Sequence, residues 1–175
     1  MFKIIALILL GIVGLLAYSY FHMKKARVGL FKRVAAFTPK EIALFSAKFR
    51  DYLARDYPGT AQAPLEDSAP LMEQLLKNSF SYMRIDRMDG DAMVFAIGSY
   101  LGETLAAEHG GRWESSEHGP ALIFGAGEAQ VTMHPLEKAA SFREFGESGD
   151  LHAYILTAHE IAREMALRAR DGQAG

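Results

Sequence analysis

Cysteine is absent from this chain of 175 residues. Its absence excludes disulfides, thiolate metal sites, cysteine nucleophiles and lipoprotein-type acylation. It leaves the compartment open, because a cysteine-free protein suits either side of a membrane. Internal repeats are also absent, and so is a complete catalytic motif. His159-Glu160-Ile161-Ala162-Arg163 begins like the zinc motif H-E-x-x-H, but Arg163 stands at the second ligand position and repels a cation. His152 lies seven residues before His159, too far along one helix to share an ion without another element. Both read as solvated surface histidines, and no metal or cofactor is expected. Gly98-Ser99-Tyr100-Leu101-Gly102 resembles a nucleophile elbow only superficially. The elbow needs G-x-S-x-G on a strand-to-helix turn, whereas Ser99 directly follows its glycine inside a predicted helix. Gly125-Ala126-Gly127 is too short to cradle a phosphate and precedes no helix start.

What the chain does have is an uncharged apolar run from Ile4 to Phe21. As a helix, its 18 residues would span about 27 Å, close to the ~30 Å hydrocarbon core of a bilayer. Lys3 precedes it, and Lys24, Lys25, Arg27, Lys32 and Arg33 follow. A cleavable signal peptide is the competing reading, with Ala17-Tyr18-Ser19 as a small-x-small site. The run is too long for that pattern, tyrosines crowd the site, and the basic cluster would oppose translocation. An uncleaved single-pass anchor over residues 1–23 is therefore expected. Lys and Arg are retained on the cytoplasmic side, which puts the globular part in the cytoplasm and the N-terminus outside. Gly11 and Gly14 do not have the G-x-x-x-G spacing, so a helix dimer is not indicated.

Charge is sharply divided. Residues 1–50 carry a net +8 and residues 51–175 a net −10, which the whole-chain value of −2 conceals. The basic segment can lie against anionic lipid, each Lys or Arg near the surface contributing about 1 kcal/mol. The acidic remainder repels phosphate backbones, so nucleic-acid binding by the globular part is excluded.

Residues 24–37 read as a basic juxtamembrane segment with Val28, Leu30, Phe31, Val34 and Phe37 interleaved. The segment either extends into the membrane interface or packs on the domain that follows. A single domain is expected over 38–171, with a short tail at 172–175. Its first helix opens on Thr38-Pro39-Lys40-Glu41, a capping box with proline at the first helical position. Ile42, Phe45, Ser46, Phe49, Tyr52 and Leu53 form its buried stripe. Pro58-Gly59 ends it. Residues 58–69 read as a loop, and a second helix is expected from about Ala69 to Lys77. Residues 81–88 are ambiguous between strand and helix, and Asp89-Gly90-Asp91 marks a turn and a helix start.

The segment from Asp91 to Glu108 reads as the central helix, apolar on most sides. Gly98 and Gly102 each cost about 1 kcal/mol of helix propensity, which implies close approach of a neighbour. Gly110-Gly111 ends it. Three short strands, near 112–116, 121–124 and 129–133, suggest an antiparallel meander. A helical turn from Pro135 to Phe145 and a final helix capped by Asp150 complete an α+β domain.

Two chemical readings remain for the central helix. Glu103 follows Ser99 by one turn, and Trp113 is close in sequence, so Glu103, Ser99 and Tyr100 could line an enzymatic pocket. The favoured alternative is that Glu103 accepts hydrogen bonds from backbone or from Arg112. Tyr100-Leu101-Gly102-Glu103 followed by Gly110-Gly111-Arg112-Trp113 resembles a signature of small bacterial α+β domains of uncharacterised function. The resemblance covers roughly residues 70–170, including Pro135, the Gly149 region and the long final helix. It implies the fold and a bacterial source, and it brings no catalytic residues. The anchor is outside it. The functional expectation is a bacterial inner-membrane protein that contacts lipid through residues 4–33 and binds a protein partner without catalysis. The alternatives are the Glu103 enzyme and an exported envelope inhibitor or immunity-type protein.

Overall fold

The computed structural model describes residues 24–25, 28–79, 84–85, 88–117, 119–126 and 130–171. The expected anchor over residues 1–23 and the tail 172–175 lie outside the described residues, as does Arg27. Among the described residues no helix is long and apolar enough to cross a membrane. The fold is α+β: helices surround one central helix, with a small antiparallel sheet of three strands.

Residues 28–35 form α1. Its inward face is part of the core, with Leu30 and Val34 at 0% and 2% exposure. Gly119 seals the contact from the other side. It sits at φ +104, and a Cβ there would lie 2.8 Å from the Val34 carbonyl oxygen. Only glycine combines that backbone conformation with that approach. On the outer side, Arg33 pairs with Asp91, which also binds Arg143 Nη1 at 2.7 Å.

Helix α2 spans Pro39–Asp56 with the expected capping box: the Thr38 hydroxyl accepts from Glu41 N, and Thr38 N donates to Glu41 Oε2 at 2.8 Å. Its buried residues are Ile42, Ser46, Phe49, Tyr52 and Leu53.

The expected loop over 58–69 is instead mostly helical. A short α3 spans Pro58–Ala61, and α4 runs over Leu65–Asn78, four residues earlier than expected at its start. Ser68 Oγ ties the two, lying 3.3 Å from both the Thr60 and Pro64 carbonyls. Pro70 lies inside α4. It has no N–H to donate, which frees the Glu66 carbonyl one turn back. His152 Nδ1 lies 3.1 Å from that oxygen and donates to it. Pro70 is thus tolerated inside the helix because the final helix supplies the missing donor.

The ambiguous stretch at 81–88 contributes a minimal antiparallel pair, β1 (Arg84–Ile85) and β2 (Met88–Asp89). Then comes α5, Gly90–His109, buried without interruption from Met93 to Gly102. It packs against α2, α4, the next helix α6 (Pro135–Phe145) and the last helix α7 (Asp150–Asp171). Gly98 is where α6 comes closest: a Cβ there would lie 2.8 Å from Leu136 Cα. Truncating a fully buried leucine of this helix, such as Leu101, costs about 2–5 kcal/mol.

The meander forms as expected. Strands β3 (Arg112–Ser116), β4 (Gly119–Phe124) and β5 (Val131–Met133) pair antiparallel, with β4 central and buried throughout. Trp113 stands opposite Leu122.

The start of α7 departs from expectation. Asp150 does not cap it; its carboxylate accepts from Glu147 N at 2.9 Å, back toward the loop. The helix amides are met by Glu73 of α4, 6% exposed, which accepts from Gly149 N and Leu151 N, each at 2.9 Å. A carboxylate at this end also complements the positive pole of the helix dipole. Gly149 holds φ +93, a conformation in which other residues would be strained.

Candidate functional site

The residues singled out along the middle of α5 are joined by packing. Ser99 is fully buried, and its hydroxyl has no partner among the described residues. Tyr100 is 7% exposed and meets Phe49 edge-on at 5.2 Å between ring centroids. Burial raises its phenol above the usual tyrosine value. Neither side chain is open to a substrate. Glu103 is more accessible, and its Oε1 accepts from the Trp113 indole Nε1 at 2.7 Å. The indole lies so close to the helix that a Cβ at Gly102 would come 2.3 Å from its ring. Gly102 is therefore the slot, Trp113 its filling, and Glu103 the group that holds the ring's polar edge.

Arg112 is not the partner of Glu103. It bonds Glu114 Oε1 at 2.8 Å and the Gly125 carbonyl at 2.7 Å, pinning the turn between β4 and β5. The sequence placed Glu103 and Trp113 near one another, and the structure joins them directly.

The basic residues expected to flank the anchor divide. Lys24, Lys25 and Lys32 are exposed to solvent. Arg33 is engaged with Asp91, so its charge is partly neutralised by the domain.

A second cluster, which sequence spacing did not reveal, lies at the C-terminal end of α5. His109 Nε2 is 2.7 Å from His159 Nδ1 of α7. Glu108 Oε2 lies 3.8 Å from that His109 nitrogen and 3.9 Å from that His159 nitrogen. On the far side of the ring, Glu66 Oε2 of α4 is 3.5 Å from His159 Nε2. The two imidazoles are mostly buried, at 23% and 22% exposure. They open onto a shallow cleft also lined by Glu66, Glu108, Leu156 and Arg163. Burial holds His109 below the ordinary histidine value, and the charge of His159 acts in the same direction; Glu108 opposes it, and Arg163 adds to it.

Elements explain why this cluster forms. Gly110, at φ +74, ends α5 immediately after His109. The last turn of α5 therefore meets the middle of α7, where His159 points back at it. His152, the other histidine of α7, is committed to the Glu66 carbonyl and is not a member. The incomplete H-E-x-x-H thus supplies one histidine, and the second comes from a helix fifty residues earlier. No periodicity within α7 could have indicated it; the only local signal was a histidine at a helix end before two glycines.

Compared with protein-family models, curated proteins and solved structures, the chain shows no match.

Proposed function

We propose that this chain is a single-pass protein of a bacterial inner membrane, whose α+β domain faces the cytoplasm and acts by binding a protein partner. The observation that carries this reading is the uncharged run Ile4–Phe21 bounded by one lysine before it and five basic residues after it. The exposure of Lys24, Lys25 and Lys32 supports it, since cations against anionic lipid must be free of internal partners. The inward face of α1 is buried in the domain, so on this reading lipid is met by the residues before α1 and by the outer face of that helix, which carries Lys32. Binding is favoured over chemistry at Ser99, Tyr100 and Glu103 because two of these are sealed in the core and the third is held by Trp113.

The test is topology. Ser148 is exposed in the turn before α7, and the absence of native cysteine makes Ser148→Cys a unique label site. A membrane-impermeant maleimide should label it only after lysis of cells whose outer membrane has been permeabilised. Labelling before lysis would move the domain to the envelope side and favour the inhibitor reading.

A further inference from the structure

We propose that Glu108, His109 and His159 bind a divalent transition-metal ion of the zinc class, with Glu66 as a positioning residue for His159. The proposal goes beyond the tethered-binding reading and does not depend on it.

The argument begins with the triangle of donor atoms. Its sides are 2.7, 3.8 and 3.9 Å. The point equidistant from three such corners lies about 2.1 Å from each, the length of a zinc bond to imidazole nitrogen or carboxylate oxygen. The three groups come from two elements, yet their ligand atoms all fall within 4.8 Å of one another.

A hydrogen-bonded histidine pair alone does not account for the arrangement. Such a pair needs one proton between two nitrogens. Glu108 is too distant to hydrogen-bond either ring, yet it faces both of the same two nitrogens. His159 Nε2 is buried without a hydrogen bond, and Glu66 is the carboxylate nearest to it. Protonated at Nε2 toward Glu66, His159 would present a bare Nδ1 to the centre of the triangle. A carboxylate behind the outer nitrogen of a metal-ligating histidine is the usual way its tautomer and ring orientation are set.

Charge and donor type select the ion. Glu66 and Glu108 offset a dication, and Arg163 at the cleft opposes it by one charge. Two imidazoles and a carboxylate, without thiolate, suit zinc and its neighbours and not copper(I), calcium or magnesium. Three protein ligands facing a cleft leave a fourth position for water or an incoming group. Closing the site requires His109 to give up the Nε2 proton in favour of Nδ1. It also requires the two nitrogens to part from 2.7 Å to roughly 3.3 Å, the edge of a tetrahedron with such bonds.

The experiment uses the full chain in detergent, stripped with a chelator and dialysed. Zinc is titrated in competition with a chromophoric chelator. The expected result is one zinc per chain, with excess magnesium unable to compete. His109→Gln and His159→Gln should each weaken binding by more than tenfold, and Glu66→Gln by about tenfold. Zinc should also raise the melting temperature of the parent chain and leave that of the His variants unmoved. If a histidine variant does not fold, Glu108→Gln decides, because that side chain is 41% exposed and its loss leaves the core intact. Absence of stoichiometric zinc, or binding that survives these substitutions unchanged, overturns the proposal.

Discussion

Helix α5 carries two glutamates, five residues apart, with opposite fates. Glu103 is closed: its carboxylate holds the Trp113 indole, and the ring fills the groove that Gly102 leaves. Glu108 is open: it faces two imidazoles without hydrogen-bonding either, beside a cleft. What separates them is satisfaction. A polar group whose partners are all present contributes to folding, and substitution there is read as lost stability. A group whose partners are near but incomplete contributes little until something completes it.

That difference can be broken or sharpened by substitution. The largest effect is expected at a third glutamate, buried and fully satisfied. Glu73→Ala strips the amides of Gly149 and Leu151 of their acceptor inside the fold and should cost about 3 kcal/mol, measured by chemical denaturation. Gly102→Ala follows. A Cβ 2.3 Å from the ring must displace Trp113, with an expected cost of about 1–3 kcal/mol and a red shift of emission from the single tryptophan. Glu103→Ala should cost about 1–2 kcal/mol, whereas Glu103→Gln, whose amide oxygen still accepts from the indole, should cost less than half as much. An enzymatic Glu103 would instead lose function with Gln at unchanged stability.

At the open end the expected effects are small. Without metal, Glu108→Gln should alter stability by no more than about 0.5 kcal/mol. The pH dependence is equally modest and has a definite sign. His109 is held below its ordinary value, so as pH falls through that value the unfolded chain takes up the proton first. Stability is then lost toward lower pH. His109→Gln should flatten this part of the stability profile between about pH 7 and 5, and an unchanged slope would remove His109 as its source.

The middle and the C-terminal end of α5 also differ in how far they could be read from sequence. The middle was nearly legible. Helical spacing put Gly98 and Gly102 on one face, propensity implied close neighbours, and the Gly-Gly turn brought Trp113 back toward the helix. The capping box at Thr38 and the three-strand meander were legible for the same reason, since each is set by residues near one another in the chain. The misreadings share the opposite cause. Residues 58–69 read as a loop, and the donor that lets α4 run through Pro70, His152, is 86 positions from Glu66. Asp150 looked like the cap of α7 because the actual acceptor, Glu73, is 76 positions from Gly149. The pairing of His109 with His159 spans 50 positions and follows no repeat. Local rules find groups that neighbours satisfy; they do not find groups satisfied by tertiary packing.

The most direct test is native mass spectrometry of three versions of the full chain, released from detergent after exposure to equimolar zinc. The parent and Glu103→Gln chains should each carry one zinc, and His109→Gln should carry none. Equal loading of all three, or zinc on none of them, would contradict the claim that the unfinished chemistry of this domain lies at the end of α5 and not in its middle.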